Sequence, residues 1–453
     1  MKKSLGVGHR LRFVWALLLC GVRFVLRLRG RQNIFSDYLQ PPQLKTATLS
    51  GAITMPPRNL PGEEIQFESN WGQVNDDFDK MGLKESLLKG IYAYGLEKPS
   101  PVQQRAIMPV LNGRDLIMQA QSGTGKTAAF TIGVLQKFDR SINAPQALIL
   151  APTRELVQQI QDVIVKLGQY MNIKCYSCIG GRKVSKDVQK LAEGIHLVVG
   201  TPGRLLDLIE RKALVVDKVK IFCLDEADEV LSRGFKKQVM RVFAHLPQRG
   251  MQVVLISATF PEAFHDITRA IMSSNPVKIL VKRSQLTLEG IEQFFILMEK
   301  PDWKLDTLSD LYTTETFTHP TVVFCNSRKK VDELVYKLEE RGLAAVATHG
   351  QKPQKEREAH LQDFKNGASR VLITTDMLAR GIDVQQAAVV VNYDLPDKKE
   401  MYMHRIGRCG RFGRKGVAIN FVTQSDISMI RSIEDYYNTQ IEEMPLDISY
   451  NLI

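Results

Sequence analysis

Residues 120–127 read Ala120-Gln-Ser-Gly-Thr-Gly-Lys126-Thr127, and the fold follows from how this stretch is understood. It has the form of a phosphate-binding loop, with Ala120 standing where the general pattern places its first glycine. Such a loop needs little side chain and many backbone N–H groups. Ala120, Gln121, Ser122, Gly123, Thr124 and Gly125 supply them, and the glycines let the chain curl so that they converge on phosphate oxygens. Lys126 adds a point charge at the β/γ-phosphates, and the Thr127 hydroxyl is suited to ligating Mg²⁺. Asp115-Leu-Ile-Met-Gln119 upstream reads as a buried strand, and Ala128–Gln136 downstream reads as an apolar helix. The loop therefore opens a helix, where the dipole favours an anion. A Gly-Thr-Gly turn without function would need neither neighbour.

The remaining composition sets the scale. A chain of 453 residues predicts two or three domains, and 44% hydrophobic content is ample for packed cores. The net charge of +12 is unevenly placed: residues 1–32 hold eight cations and no acid. Basicity is thus weak support for a nucleic-acid partner, because most of it lies in the N-terminal tail. That tail also carries the apolar run Phe13–Val22, too short to span a bilayer. It reads as a signal-type segment, a basic targeting helix or an inert extension, with no clean cleavage site behind it. No stable membrane association is expected. The six cysteines make no disulfide framework for a chain of this size, and Cys175-Tyr-Ser-Cys178 lies in an alternating strand pattern without a second ligand pair. Buried thiols in a reducing compartment are expected.

Residues 33–75, punctuated by Pro41-Pro42, Pro56-Pro57 and Pro61, read as a loosely ordered lead-in, so that residues 1–75 as a whole are expected to be a poorly ordered extension ahead of the domains. From about Phe78, short β-type runs alternate with amphipathic helices, the signature of a parallel sheet covered on both faces. The runs are Ala147–Ala151, Leu197–Gly200, Lys220–Leu224 and Gln252–Ile256. A pause near Val281–Gly290 is followed by Thr321–Phe324, Ala345–Ala347, Arg370–Thr374 and Ala388–Asn392. The pattern predicts an α/β protein of two domains, 76–281 and 291–453, joined by a short linker at 282–290. The second domain has no phosphate loop of its own.

Chemistry concentrates at strand ends. Ile221-Phe-Cys-Leu-Asp225-Glu226 offers Asp225 for a metal and Glu226 to polarise an attacking water. Ser257-Ala-Thr259 also follows a strand and alone is an ordinary turn. In the second half, His404-Arg405-Ile-Gly-Arg408-Cys-Gly-Arg411 is either a solvated basic face or an anion grip, and glycines beside arginines favour the grip. If Lys126 and Arg408 touch one nucleotide, it sits between two domains.

Together these residues resemble the DEAD-box family of ATP-dependent RNA helicases. The resemblance covers about residues 76–453 and is carried by Asp225-Glu-Ala-Asp228 and Gly95-Leu-Glu-Lys-Pro-Ser-Pro-Val-Gln103. It continues through Pro152-Thr-Arg154-Glu-Leu, Gly180-Gly181, Thr201-Pro-Gly-Arg204, Ser257-Ala-Thr259 and Gln354-Lys-Glu-Arg357. Thr375-Asp376, Ala379-Arg-Gly-Ile-Asp383 and the His404–Arg411 block complete it, in that order. Cys409 departs from the usual small serine or glycine, and Leu205-Leu206 from the common Val-Phe pair; neither removes a charged catalytic group. The resemblance implies two RecA-like domains in tandem, ATP as substrate and Mg²⁺ as its cofactor. It implies that Gln103 reads adenine, Phe78 stacks on it, Gly381 belongs to the ATP site, Asp383 holds the ribose, and Arg408 and Arg411 act as arginine fingers. Asp228, Ser257, Thr259 and His404 would couple the domains. Pro152, Thr153, Arg154, Gly181, Thr201, Arg204, Arg357 and Thr375 would grip one RNA strand through its backbone, without reading sequence.

Longer stretches, Ser86–Gly95, Leu286–Gly290, Trp303–Thr307 and Arg414–Asn420, resemble the translation-initiation branch of the family, and its exon-junction branch nearly as closely. The first implies local unwinding of messenger RNA by a cytoplasmic monomer with a scaffold partner. The second implies an ATP-gated RNA clamp. An organellar address remains the alternative if residues 1–32 are a targeting segment.

Overall fold

The computed structural model describes residues 67–121, 123–231, 234–260, 264–281, 290–313, 319–379, 387–409 and 416–445. The tail, Ser122, Gly381, Asp383 and Arg411 lie outside the described residues, as does most of the linker.

Two sheets are built in sequence order. The first contains β1 (Phe67–Ser69), β2 (Leu116–Gln119), β3 (Ala147–Leu150), β4 (Cys175–Cys178), β5 (Leu197–Gly200), β6 (Ile221–Leu224), β7 (Gln252–Ser257) and β8 (Val277–Val281). The second contains β9 (Ile291–Met298), β10 (Thr321–Phe324), β11 (Val346–Thr348), β12 (Val371–Thr374), β13 (Val389–Asn392), β14 (Gly416–Thr423) and β15 (Glu442–Glu443). Their spatial orders are β1-β8-β2-β7-β6-β3-β5-β4 and β11-β12-β10-β13-β14-β9-β15. All pairings are parallel except β1 with β8. Central strands such as Ala147–Leu150 and Ile221–Leu224 are buried along their whole length, as expected when helices cover both faces.

The first domain starts upstream of the expected boundary at 76, because Phe67–Ser69 closes the sheet edge against β8 in register with Ile279–Val281. Three residues, two of them exposed, leave no periodic signal to read. Cys175 and Cys178 sit on one strand with burial raising both thiol pKa values, so they are packing groups and not a metal pair.

Helix starts are specified locally. Ser100 caps the helix Pro101–Leu111 with a capping box: its Oγ accepts from the Gln103 N–H, and Gln103 Oε1 accepts from the Ser100 N–H at 2.9 Å. Pro101 occupies the first turn, where no N–H is needed. Close helix–helix approach is built on small residues: a Cβ at Gly90 would lie 1.9 Å from the Leu167 carbonyl oxygen.

Candidate active site and nucleic-acid interface

The strand order sorts the chemistry. Residues 120–127 follow β2, Asp225–Asp228 follow β6, and Ser257–Thr259 follow β7; these three strands are adjacent in the sheet. Residues 151–154 follow β3, 179–182 follow β4, and 201–204 follow β5, an adjacent trio at one side. In the second sheet Gln354–Arg357 and Thr375 follow the edge strand β11 and its neighbour β12. The carboxyl ends of parallel strands are where such sheets take ligands.

In the phosphate loop, Gly125 caps the helix Lys126–Lys137 with φ at 86°, a left-handed conformation. A Cβ there would also come within 2.5 Å of Gln103 Nε2. Glycine is therefore required twice over. Gln103 is buried and donates through Nε2 to the Gly125 carbonyl at 3.2 Å, while Ser100 Oγ donates to the Thr124 carbonyl at 2.8 Å. The expected adenine reader is thus tied to the loop that would hold the phosphates. Lys126 Nζ donates to the carbonyls of Ala120 and Gln121 at 2.6 and 2.7 Å, folded back over the loop; Thr127 follows it, half-buried. Phe78, expected to stack on adenine, is 0% exposed within the apolar core. In this arrangement its ring is core and presents no open face; the sequence showed the aromatic but not the side chains that pack around it.

Asp225 and Glu226 are both buried. Burial first, then the charge of Glu226, pushes Asp225 up to about 7, with Lys126 pulling the other way. Glu226 holds a left-handed backbone, φ 48° and ψ 53°, and its Oε2 has no hydrogen-bond partner. A strained, buried carboxylate with a free acceptor lobe is suited to take a proton or orient water. The carboxylate pair beside the loop also fits a divalent cation, whose charge would offset the burial and mutual repulsion that raise Asp225. The sign for stability follows. A carboxyl raised by burial contributes fully below its ordinary value of 3.8 and loses that contribution as pH rises toward 7. Asp225→Asn, neutral throughout, should therefore raise the Tm of the ligand-free protein by about 2–4 °C near neutral pH. The gap over wild type should shrink toward pH 5; a gap independent of pH would remove the burial argument.

The two domains meet over these strand ends. Asp228 Oδ2 accepts from Thr259 Oγ1 at 2.9 Å and lies 3.1 Å from His404 Nε2 of the second domain, and the Asp228 N–H donates to Ser257 Oγ at 3.3 Å. All four residues expected to couple the domains are thus brought together. Glu226, Asp228 and His404 place ligand atoms within 4.8 Å of one another. Arg408 is buried, its Nε donating to the His404 carbonyl at 3.1 Å.

At the other end of the interface, Arg357 and Glu155 form an ion pair, both nearly fully buried. Gln354 joins them, accepting from Arg154 Nη1 at 3.2 Å and donating to Glu155 Oε1 at 3.4 Å. Arg357, expected on RNA, is therefore committed here to the domain contact, and burial lowers its pKa against the Glu155 carboxylate. Arg204 likewise pairs with buried Asp187 and donates to the Arg182 carbonyl at 2.8 Å. Thr153 caps the helix Arg154–Leu167, Gly181 is exposed with φ at 85° beside Arg154, and Thr201 and Thr375 are half-buried at their strand ends; Pro152 is buried.

Two residues carry more than their motifs suggested. Glu155 is the first-domain half of the buried pair. Arg405, wholly buried, binds Asp376, Asn326 Oδ1 at 2.7 Å and the Asp394 carbonyl at 2.6 Å, and so anchors the helix Lys399–Ile406 that presents His404. Both stand inside quoted motifs, yet only three-dimensional neighbours separate a scaffold arginine from a ligand-facing one.

The model of the DEAD/DEAH box helicase family matches residues 100–267, and that of the helicase conserved C-terminal domain matches residues 303–413. The chain belongs to the DEAD/DEAH box helicase family. It is 59% identical over 391 residues to the ATP-dependent RNA helicase eIF4A of Mycosarcoma maydis, covering 86% of this chain and 94% of that protein. It is also 59% identical over 386 residues to the eIF4A of Neurospora crassa, covering 85% and 96%. Among solved structures, S. cerevisiae Dbp5 bound to RNA and ADP BeF3 matches with a TM-score of 0.76 at 37% identity, over 82% of this chain and 96% of that one. This DEAD-box helicase is an ATP-dependent enzyme acting on RNA, with two parallel-sheet domains in tandem. At 391 aligned residues the similarity spans both domains.

Proposed function

We propose that this DEAD-box helicase is an eIF4A-type enzyme of translation initiation, a cytoplasmic monomer that opens short duplexes in messenger RNA while held by a scaffold protein. The carrying observation is identity of 59% over nearly the whole length of an eIF4A protein, in both domains at once. The geometry supplies the chemistry. Lys126 would leave the Ala120 and Gln121 carbonyls for the phosphates, and Gln103 would report an adenine base through its bond to Gly125. Thr127 and Asp225 would hold Mg²⁺, which when bound offsets phosphate charge. Glu226 would orient the attacking water with its unpartnered oxygen, and Arg408 would approach the same phosphate from the second domain. RNA would lie along the loops after β3, β5 and β4, continuing past β12 and β11. Since ATP and RNA both favour the closed pair, each tightens the other by reciprocal coupling.

The test is a cell-free translation extract depleted of its own eIF4A. Added protein should restore initiation and separate a short RNA duplex in an ATP-dependent manner. RNA-stimulated ATP turnover without duplex separation would support a clamp instead, and failure to restore translation would remove the initiation role. Glu226→Gln should still bind ATP and RNA while hydrolysis falls by about 10²–10⁴-fold, the range of a lost general base. Single-turnover kinetics with a filter-retained RNA complex would check it; release as fast as wild type would free Glu226 from that role.

A further inference from the structure

On the first domain, at the edge opposite the active site, a groove of about 570 Å³ is flanked by Lys84, Lys137, Arg140 and Lys220, with the exposed Tyr170 beside the buried Phe138. It lies at the amino ends of the strands: Lys220 directly precedes β6, whose far end delivers Asp225, roughly 16 Å away at 3.3 Å per residue. Among the described residues, none of the four cations forms an ion pair. Lys84 Nζ donates to the Phe138 carbonyl at 2.7 Å and Lys137 Nζ to Gln252 Oε1 at 3.0 Å, both neutral acceptors. The one carboxylate in the lining, Asp139, accepts from the Ser141 N–H and hydroxyl at 2.9 and 2.7 Å, and its charge reaches Lys84 and Lys220 without pairing with either, so one acid faces four cations. Burial holds Lys84 and Lys137 below their ordinary pKa, and Lys220 adds to the effect at Lys137. Tyr170 stands 53% exposed beside this charge.

We propose that this groove docks an acidic segment of a partner protein, carboxylates on the four cations and an apolar side chain against Tyr170. Charge complementarity selects the occupant. The chain's own outlying segments do not match: residues 1–66 carry ten cations against three acids, and residues 446–453 a single acid, Asp447. An RNA strand is disfavoured by position, since the loops expected to hold RNA lie at the opposite ends of the same strands. The docking is independent of the role in initiation.

The probe is a fluorescein-labelled poly-glutamate peptide with one central Phe, titrated by anisotropy into the full-length protein at low and moderate salt. Saturable binding is expected, weakening with salt as screening grows. The double variant Arg140→Glu/Lys220→Glu should weaken it by about tenfold or more, a loss worth roughly 1.4 kcal/mol. The exposed control pair Lys365→Glu/Arg370→Glu, on the second domain, should leave it unchanged. Both variants should keep wild-type RNA-stimulated ATP turnover, which also certifies their fold. The proposal falls if the wild type shows no saturable binding or if the control pair loses as much. It falls equally if the groove variant keeps the peptide and loses affinity for poly(U), which would make the groove an RNA track.

Discussion

Arg357→Ala is expected to uncouple ATP from RNA while sparing the fold. In the closed arrangement Arg357 and Glu155 are buried together, and Glu155 Oε2 already lacks a partner. Removing the guanidinium leaves a buried carboxylate with only the Gln354 amide beside it, and breaking such a pair typically costs 3–5 kcal/mol, about 10²–10⁴ in an equilibrium constant. The domains have an escape: they separate and Glu155 is hydrated. The penalty therefore falls on closure and not on either domain. Binding of ATP alone to the first domain should change little, whereas the tightening of RNA by a non-hydrolysable ATP analogue should drop by about 10²-fold or more. The double variant Arg357→Ala/Glu155→Ala should recover part of the loss. Equal weakening of RNA with and without nucleotide would instead make Arg357 a direct RNA contact, the role its motif suggested.

Lys126→Ala is expected to abolish detectable RNA-stimulated ATP turnover, a loss on the order of 10³-fold or greater, because a charge aimed at the transferring phosphoryl group is lost. Its Nζ rests on two loop carbonyls at the surface of the site and fills no apolar core, so the variant should fold and melt as wild type does. Turnover close to normal in a well-folded variant would remove the phosphate-loop assignment.

Much of this was legible in the chain. The phosphate loop, the acidic pair behind a buried strand and the alternation of strand and helix depend on local spacing, and spacing survives without coordinates. The short edge strand Phe67–Ser69 was not legible, since its pairing is with residues more than 200 positions away. Nor were the places where one motif touches another. Sequence assigned Gln103 to a base and left unseen its bond to Gly125; it assigned Arg357 to RNA and left unseen Glu155. Phe78 shows the same limit, because an aromatic that stacks and one that fills a core look alike until their neighbours are known. Long-range packing decides such cases, and periodicity does not record it.

The sharing of Asp228 Oδ2 has a consequence for how the enzyme resets. This one oxygen is satisfied by Thr259 from its own domain and approached by His404 from the other. When the domains part, the aspartate keeps Thr259 and is never stranded, so the contact behaves as a latch without a catch. It can register that the second domain has arrived, yet it does little to hold it there. The dwell time of the closed state is then left to the Arg357–Glu155 pair, the nucleotide and the RNA, and once phosphate leaves, Asp228 keeps its own-domain partner on the way back to the start of the next cycle.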